Sequence, residues 1–188
     1  MASVQRSGAP TPSVAVLVVS GAVAAGRAQD SVGPLLRDLI EQAGLTSAGV
    51  DAVADDREAI EACLRAHVRA GVGVVLTAGG TGLTPDDVTP EATRAVLQRE
   101  APGFAEALRA ESLRHTPMGL LTRGVAGTSG QTLIVNLPGS PRAVAQLFAV
   151  LSPVLAHAVE TLRSPGGSRA LHARAGDPPL HAPGHAPR

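Results

Sequence analysis

The stretch VGVVLTAGGTGLTPDDVTPEAT, residues 72–93, contains an apolar run, a glycine-rich turn and a helix start, in that order. The apolar run Val72–Leu76 predicts a short buried strand. The glycines of AGGTG (78–82) predict a tight turn in which backbone N–H groups can approach an anion closely. Thr89-Pro90-Glu91 then predicts a helix with proline at its first position. This order of elements suits a phosphorylated ligand bound at the end of a parallel sheet.

Polar side chains flank the glycine turn on both sides. Thr77 and Thr81 contribute hydroxyl groups, and Asp86 and Asp87 begin four residues after Gly82. Carboxylate oxygens are ligands that Mg²⁺ prefers, commonly in sites that it shares with substrate phosphates. Taken as a bare GGxG pattern, the same residues also fit an ordinary turn followed by two solvated acids.

Strands and helices alternate along the rest of the chain. Helical spacing of apolar residues predicts helices at 32–43, 56–70, 90–99, 103–114 and 141–163. Apolar runs predict strands at 14–19, 46–54, 120–126 and 132–137, with the last two forming an antiparallel hairpin or edge around a turn at 128–131. The alternation predicts an α/β fold with three α/β/α layers around a mainly parallel sheet. We therefore expect one domain at 14–163, between disordered segments at 1–13 and 164–188.

Other candidate binding residues follow the remaining strands, because ligands of open parallel sheets collect beyond the carboxyl ends of the strands. The loop Ser20–Gly26 with Asp30 follows the first predicted strand, and Asp55-Asp56 follows the second. Asp56 precedes an apolar helical stripe, so it also fits a simple helix-capping acid.

The turn at 136–142 is a second candidate anion site. Asn136 ends a strand, and Ser140-Pro141 predicts a capped helix start beside Gly139. Free N–H groups and the helix dipole favour an anion there, and Arg142 adds a forked donor. An ordinary capped helix fits the same spacing.

Composition excludes several classes of function. The 16 basic and 16 acidic residues balance, and the two aromatic side chains, Phe104 and Phe148, offer no stacking platform, so we expect no nucleic acid partner. All basic residues are arginines, which excludes a Walker-type lysine and Schiff-base chemistry. The single cysteine, Cys63, fits a reducing cytoplasm and a position in the core. No stretch approaches the roughly 18–20 consecutive apolar residues of a membrane span, so we expect no membrane partner.

Four segments together resemble the molybdenum cofactor biosynthesis family, which includes molybdopterin adenylyltransferases. They are the stretch at 77–93, REAPGFAEAL at 99–108, GLLTRGVAG at 119–127 and NLPGSP at 136–141. They occur in the order expected for the family, and the similarity extends from about residue 14 to residue 162. The resemblance implies the fold of a molybdopterin-binding domain.

The resemblance also implies a reaction, in which Mg²⁺-dependent transfer joins AMP from ATP to the terminal phosphate of molybdopterin and releases pyrophosphate. It implies catalytic roles for Asp56 and Asp87, and we expect metal contacts from Asp87, Asp56 and Asp86. The candidates for substrate and nucleotide binding lie at the predicted strand ends: Ser20, Asp30, Thr77, Gly79, Gly80, Thr81, Gly82, Asn136, Pro138, Gly139 and Ser140. A homotrimer, a cytoplasmic location and a molybdenum-insertion enzyme as partner are further expectations.

Two positions depart from the family pattern. Gly21 follows Ser20 where most members have aspartate, and Val32 stands where most have serine. Both lie near the expected nucleotide pocket. Two alternative functions therefore stay open: a paralogue that binds molybdopterin but adenylylates it weakly, and an Mg²⁺-dependent nucleotide pyrophosphatase of the related competence-damage type.

Overall fold

The apolar runs of the sequence form a six-stranded sheet in the computed structural model, which describes residues 11–164. The strands are β1 (Ser13–Val19), β2 (Thr46–Val53), β3 (Val74–Ala78), β4 (Arg99–Glu100), β5 (Ala126–Ser129) and β6 (Thr132–Leu137). Their order across the sheet is β2-β1-β3-β6-β5-β4. The first four strands in this order are parallel, and β5 and β4 complete the sheet as antiparallel strands. The predicted mainly parallel sheet is confirmed.

Helices cover both faces of this sheet. They are α1 (Gly21–Ala24), α2 (Gly33–Gln42), α3 (Arg57–Arg69), α4 (Thr89–Val96), α5 (Pro102–His115) and α6 (Pro141–Arg163), with a 3₁₀ helix at Pro117–Leu121. One apolar core contains buried residues of α2, α5 and α6, and the other contains buried residues of α3 and α4. The three predicted layers are therefore confirmed.

Strand β1 shows why the chain folds into these layers. Val14, Val16 and Val18 pack in the first core, while the alternate residues Ala15 and Leu17 pack in the second. All are at most 4% exposed. A strand that is buried on both faces needs a continuous apolar run, which the sequence supplies. Each fully buried valine or leucine contributes about 1.5–3 kcal/mol.

Helix α6 is the longest helix of the described residues, with 23 residues. An 18-residue window has a mean hydropathy of 1.5, so by length and composition alone α6 is long enough to cross a membrane. We expected no stretch with the length and apolar character of a membrane span, and α6 corrects that expectation. The helix carries a buried stripe that lies in the first core: Val144, Leu147, Phe148, Leu151, Leu155 and Val159. This stripe identifies α6 as a core helix of the domain.

The strand predicted at 120–126 is wrong. Thr116 caps the 3₁₀ helix there by accepting a hydrogen bond from the Met118 amide at 3.3 Å, and Pro117 starts it. The strand begins only at Ala126, where pairing with β6 becomes possible. It continues to Ser129, so the predicted turn narrows to the residues around Gly130, whose φ is +57°.

The helix predicted at 90–99 ends early, at Val96. Its last predicted residue, Arg99, instead belongs to the short strand β4, where it pairs with Thr128 of β5. The loop predicted at 20–26 contains the four-residue helix α1. The two predicted disordered segments lie outside the described residues, apart from residues 11–13 and Ser164.

Candidate active site

The carboxyl ends of three neighbouring strands meet at the glycine turn. A Cβ atom at Gly79, after β3, would collide with the carbonyl oxygen of Val19, the last residue of β1. A Cβ atom at Gly139, in the loop after β6, would lie 3.3 Å from the Gly79 Cα. The loops after β1, β3 and β6 are therefore in direct contact, as sequence reasoning predicted.

Two residues with positive φ shape the turn itself. Gly79 has φ +110° and Gly80 has φ +61°, conformations that a side chain disfavours. The buried Thr89 holds them from the start of α4. Its hydroxyl donates to the Gly79 carbonyl at 2.9 Å, and its amide donates to the Gly80 carbonyl at 3.1 Å. Sequence reasoning treated Thr89 as part of a helix start only. The signal available was a hydroxyl residue two positions after the acid pair.

A buried polar network lies beneath the turn. The Asn136 side-chain amide donates to the hydroxyls of Thr77 and Thr93, both at 2.9 Å. Its oxygen accepts from the Val125 amide at 3.1 Å. Thr77 and Asn136, which we expected to bind a ligand, are thus hydrogen-bonded to each other and fix β3, β6 and α4 together. Asn136 also lines the neighbouring cavity.

Asp87 lies beside the turn and is held as a carboxylate. Its Oδ2 accepts hydrogen bonds from the Thr84 hydroxyl at 2.6 Å and from the Thr84 amide at 2.8 Å. The hydroxyl bond is the largest reason why the pKa of Asp87 lies below its ordinary value; burial opposes it, and backbone amides and the positive charge of Arg123 add to it. Asp86, the preceding residue, is exposed.

The acids after β1 and β2 have local partners. Asp56 caps α3, since its Oδ1 accepts from the Ala59 amide at 2.8 Å. Asp30 accepts from the amides of Val32 and Gly33, both at 2.9 Å, at the start of α2. The capping interpretation of Asp56 is therefore observed, and a catalytic role for it stays a prediction.

Asp55 belongs to the candidate turn predicted after β2, but the sequence indicated no role for it apart from Asp56. Its Oδ2 accepts a hydrogen bond from the Gly21 amide at 2.7 Å, which brings the loop after β2 onto the loop after β1. The Ser20 amide also donates to the carbonyl of Val53, at 2.9 Å. A carboxylate thus lies directly beside the position where the family pattern has aspartate and this chain has Gly21. No local sequence pattern could have indicated this contact, because residues 21 and 55 come together only when β1 and β2 pair.

The acids do not form a ready-made metal cage. Within residues 11–164, no three histidine, cysteine, aspartate or glutamate side chains lie close enough together to hold a metal ion. The arrangement suits Mg²⁺ only where one carboxylate, that of Asp87, is supplemented by oxygens of a phosphorylated substrate and water.

The start of α6 forms the other side of the site. Ser140 occupies the N-cap position, yet its side chain makes no capping hydrogen bond to the described residues. Its hydroxyl and the first amides of α6 consequently remain available to an anion, which the helix dipole favours. A cavity of about 260 Å³ adjoins them, lined by Pro138 and Ser140 on one side and by Leu108 and Arg109 of α5 on the other.

Comparison with known proteins agrees with this geometry. The family model described as a probable molybdopterin binding domain matches residues 15–157. The molybdenum cofactor synthesis protein cinnamon of Drosophila melanogaster is 43% identical over 136 residues, which are 71% of this chain and 23% of that protein. The molybdopterin adenylyltransferase of Haemophilus influenzae is 40% identical over 134 residues, which are 70% of this chain and 68% of that enzyme.

A solved structure gives the same result. The crystal structure of a molybdopterin biosynthesis protein from Mycobacterium abscessus is 42% identical and superposes with a TM-score of 0.78, covering 81% of this chain and 97% of that one. The chain spans less than a quarter of the Drosophila protein and half the length of two bacterial bifunctional relatives. On the family match and the Haemophilus relative, the chain belongs to the molybdenum cofactor biosynthesis family, with a molybdopterin-binding domain as its fold.

Proposed function

We propose that the protein is a molybdopterin adenylyltransferase, which transfers AMP from ATP to the terminal phosphate of molybdopterin. The contact between the two anion-binding turns carries the proposal. Gly139, in the loop before α6, lies against Gly79 of the glycine turn, so the two turns border one space. A reaction between two phosphorylated molecules needs this pairing, because its catalysis consists mainly of alignment and charge neutralisation.

The side chains present suit this chemistry. A terminal phosphate oxygen of molybdopterin attacks the α-phosphorus of ATP, the bond from that phosphorus to the bridging oxygen breaks, and pyrophosphate leaves. A phosphate monoester is already a nucleophile, so the reaction requires no serine, cysteine or lysine nucleophile. The glycine turn and Thr81 would hold one phosphorylated group, and Ser140 with the first amides of α6 would hold the other.

We further propose that Asp87 contacts Mg²⁺ that is shared with the phosphates of ATP. The carboxylate is anionic and lies against Gly82, at the mouth of the glycine turn. When bound, Mg²⁺ supplies neutralisation of phosphate charge. Asp56 and Asp86 would contact the metal ion through water molecules. One oxygen of Asp56 already accepts the hydrogen bond that caps α3, and Asp86 is exposed.

Pyrophosphate release from purified protein with MgATP and fresh molybdopterin tests the proposal, with molybdopterin omitted as the control. We expect release that depends on both substrates and falls at least 100-fold in Asp87→Ala. Release without molybdopterin would instead identify a nucleotide pyrophosphatase. Near-normal turnover in Asp87→Ala, with the circular dichroism spectrum unchanged, would remove Asp87 from the mechanism.

The weakly active paralogue is a second candidate, favoured by Gly21 in the first loop. The position of the Asp55 carboxylate, 2.7 Å from the Gly21 amide, argues for retained activity, since it restores an acid to that loop. Binding of molybdopterin without pyrophosphate release would establish the paralogue.

We also propose that the protein works as a homotrimer in the cytoplasm and passes adenylylated molybdopterin to a molybdenum-insertion enzyme. The family resemblance supports both parts of this proposal. Large exposed apolar side chains on α5 and the 3₁₀ helix are compatible with self-association.

A further inference from the structure

The guanidinium group of Arg123 lies across the loop that contains the glycine turn and Asp87. Its Nε donates to the Gly82 carbonyl at 2.6 Å, its Nη1 to Glu91 Oε1 at 2.5 Å, and its Nη2 to the Asp87 carbonyl. The Arg123 amide donates to the Thr81 carbonyl at 2.8 Å. One residue therefore fixes the glycine turn, the acid turn and the first turn of α4.

These contacts need the shape of arginine as well as its charge. The three guanidinium nitrogens point to three acceptors on separate parts of the chain, and a planar, rigid fork holds these directions at once. A lysine ammonium is a point charge on a flexible stem and cannot reproduce them. Three of the five guanidinium N–H groups donate to protein acceptors, so these bonds orient the fork towards the loop.

The chain position of Arg123 links the two halves of the site. It lies in the connection between the 3₁₀ helix and β5, and its neighbours Thr122 and Gly124 both line the cavity beside Ser140. The side chain contacts the glycine turn while the adjacent backbone borders the cavity. Movement of this connection would therefore change the position of Asp87 relative to the cavity.

We propose that Arg123 is a positioning residue that holds the turn carbonyls of Gly82 and Asp87 in fixed relation. The glycine-turn amides and the Asp87 carboxylate then face the same bound phosphate. This inference rests on the proposed adenylyl transfer for its consequence in catalysis, and on the hydrogen bonds alone for its structural part.

Kinetics of Arg123→Lys and Arg123→Ala test the catalytic part. A displacement near 1 Å at reacting groups costs about 100-fold in rate, so we expect kcat for pyrophosphate release to fall about 100-fold in both variants. The Kd for molybdopterin, measured by fluorescence, should change less than about threefold. Added guanidinium chloride at low millimolar concentration should partly restore kcat in Arg123→Ala and leave the wild-type rate unchanged.

Arg94→Ala is the matched control. Arg94 also approaches Glu91 Oε1, at 3.9 Å, and is half-exposed, but no contact joins it to Gly82 or Asp87. Its removal takes away a positive charge near the same glutamate and should leave kcat within twofold of wild type. Equal losses in Arg94→Ala and Arg123→Ala would overturn the proposal in favour of a general charge effect.

Amide hydrogen exchange without substrate separates this inference from the proposed function. Residues 79–91 should exchange at least tenfold faster in Arg123→Lys than in wild type, while β1 and α6 keep wild-type protection. Faster exchange together with a wild-type enzyme that releases no pyrophosphate would remove the proposed reaction and keep the positioning role of Arg123. Wild-type exchange and wild-type kcat in Arg123→Lys, which retains the charge and the core, would overturn the inference.

Discussion

Neighbouring groups decide what each aspartate of the site can do. Asp87 receives two hydrogen bonds from Thr84 on one oxygen, which stabilises its charged form. Asp56 accepts a hydrogen bond from the Ala59 amide with one oxygen and so contributes to the stability of α3. The two acids look alike in sequence, yet Asp87 is held as a carboxylate beside the glycine turn and Asp56 caps a helix.

Replacement of Thr84 by valine should move the acid limb of the rate profile to higher pH. The hydroxyl is the largest cause of the lowered pKa of Asp87, so its loss raises that pKa towards the ordinary aspartate value. In the wild type, the stabilisation from this contact is present above the ordinary pKa and is lost as pH falls through the lowered one. Measurement of kcat from about pH 2.5 to about pH 7 checks the shift, because the ordinary aspartate pKa of about 3.9 lies inside that range. An unmoved acid limb would show that Asp87 does not control it.

Asp56→Asn and Asp56→Ala separate capping from catalysis. Asparagine caps a helix about as well as aspartate, whereas alanine loses about 1 kcal/mol. We expect Asp56→Asn to keep the wild-type unfolding temperature and lose turnover, and Asp56→Ala to lose both. Thermal unfolding and pyrophosphate release check this. An active Asp56→Asn would reduce Asp56 to a helix cap.

At the scale of elements, the site depends on contacts between the glycine turn and the elements around it. Helix α4 holds the glycine turn through Thr89, and the connection before β5 holds it through Arg123. Asn136 joins β6 to α4 through Thr93. The turn geometry is thus a property of its neighbours, and the loop sequence by itself does not determine it.

Thr89→Val should destabilise the domain by about 1–3 kcal/mol, because the substitution leaves the Gly79 carbonyl without its buried donor. Urea unfolding measures the loss. Thr161→Val is the control: its hydroxyl bonds the exposed carbonyl of His157 within α6, so its removal should change stability by less than about 0.5 kcal/mol. Similar losses in both variants would show that Thr89 has no special part in the turn.

The elements that sequence predicted well are those with a strong period. Helices α2, α3 and α6 each present one apolar stripe to a core, β1 is an almost continuous apolar run, and β6 has an apolar run at 133–135. The short strand β4 and the start of β5 were missed, since two to four residues carry no period and their state depends on pairing partners. The same limit applies to the site. The glycine-rich stretch 79–82 predicts a turn from local sequence alone. The contact of Asp55 with Gly21 and that of Arg123 with Gly82 instead join residues 34 and 41 positions apart, which no local pattern indicates.

At the scale of the whole molecule, one part of the described surface carries several exposed apolar side chains. Large apolar side chains that are at least two-fifths exposed concentrate around the end of α5 and the 3₁₀ helix: Leu113, Met118, Leu120 and Leu121. The same segment borders the cavity through Met118. Association through this surface would bring a second subunit close to the site.

For the proposed homotrimer, light scattering should give a mass three times that of the 18.9 kDa chain. We expect Leu120→Glu to lower that mass, because a charge in a buried apolar contact is strongly unfavourable. Val154→Glu, at an exposed apolar position on α6, is the control and should leave the mass unchanged. A wild-type monomer would remove the trimer from the proposal.

The close approach of Gly79 to Val19 and Gly139 limits how this protein can be re-engineered. Most binding sites acquire new specificity by exchange of the side chains that line them. Here the centre of the site is built from main-chain atoms, and an added methyl group at Gly79 would push two loops apart. Altered specificity must therefore come from the periphery, at positions such as Gly21 or in the wall of the cavity. A mutant library that targets those positions and leaves the central glycines intact should retain far more folded members than one directed at the turn.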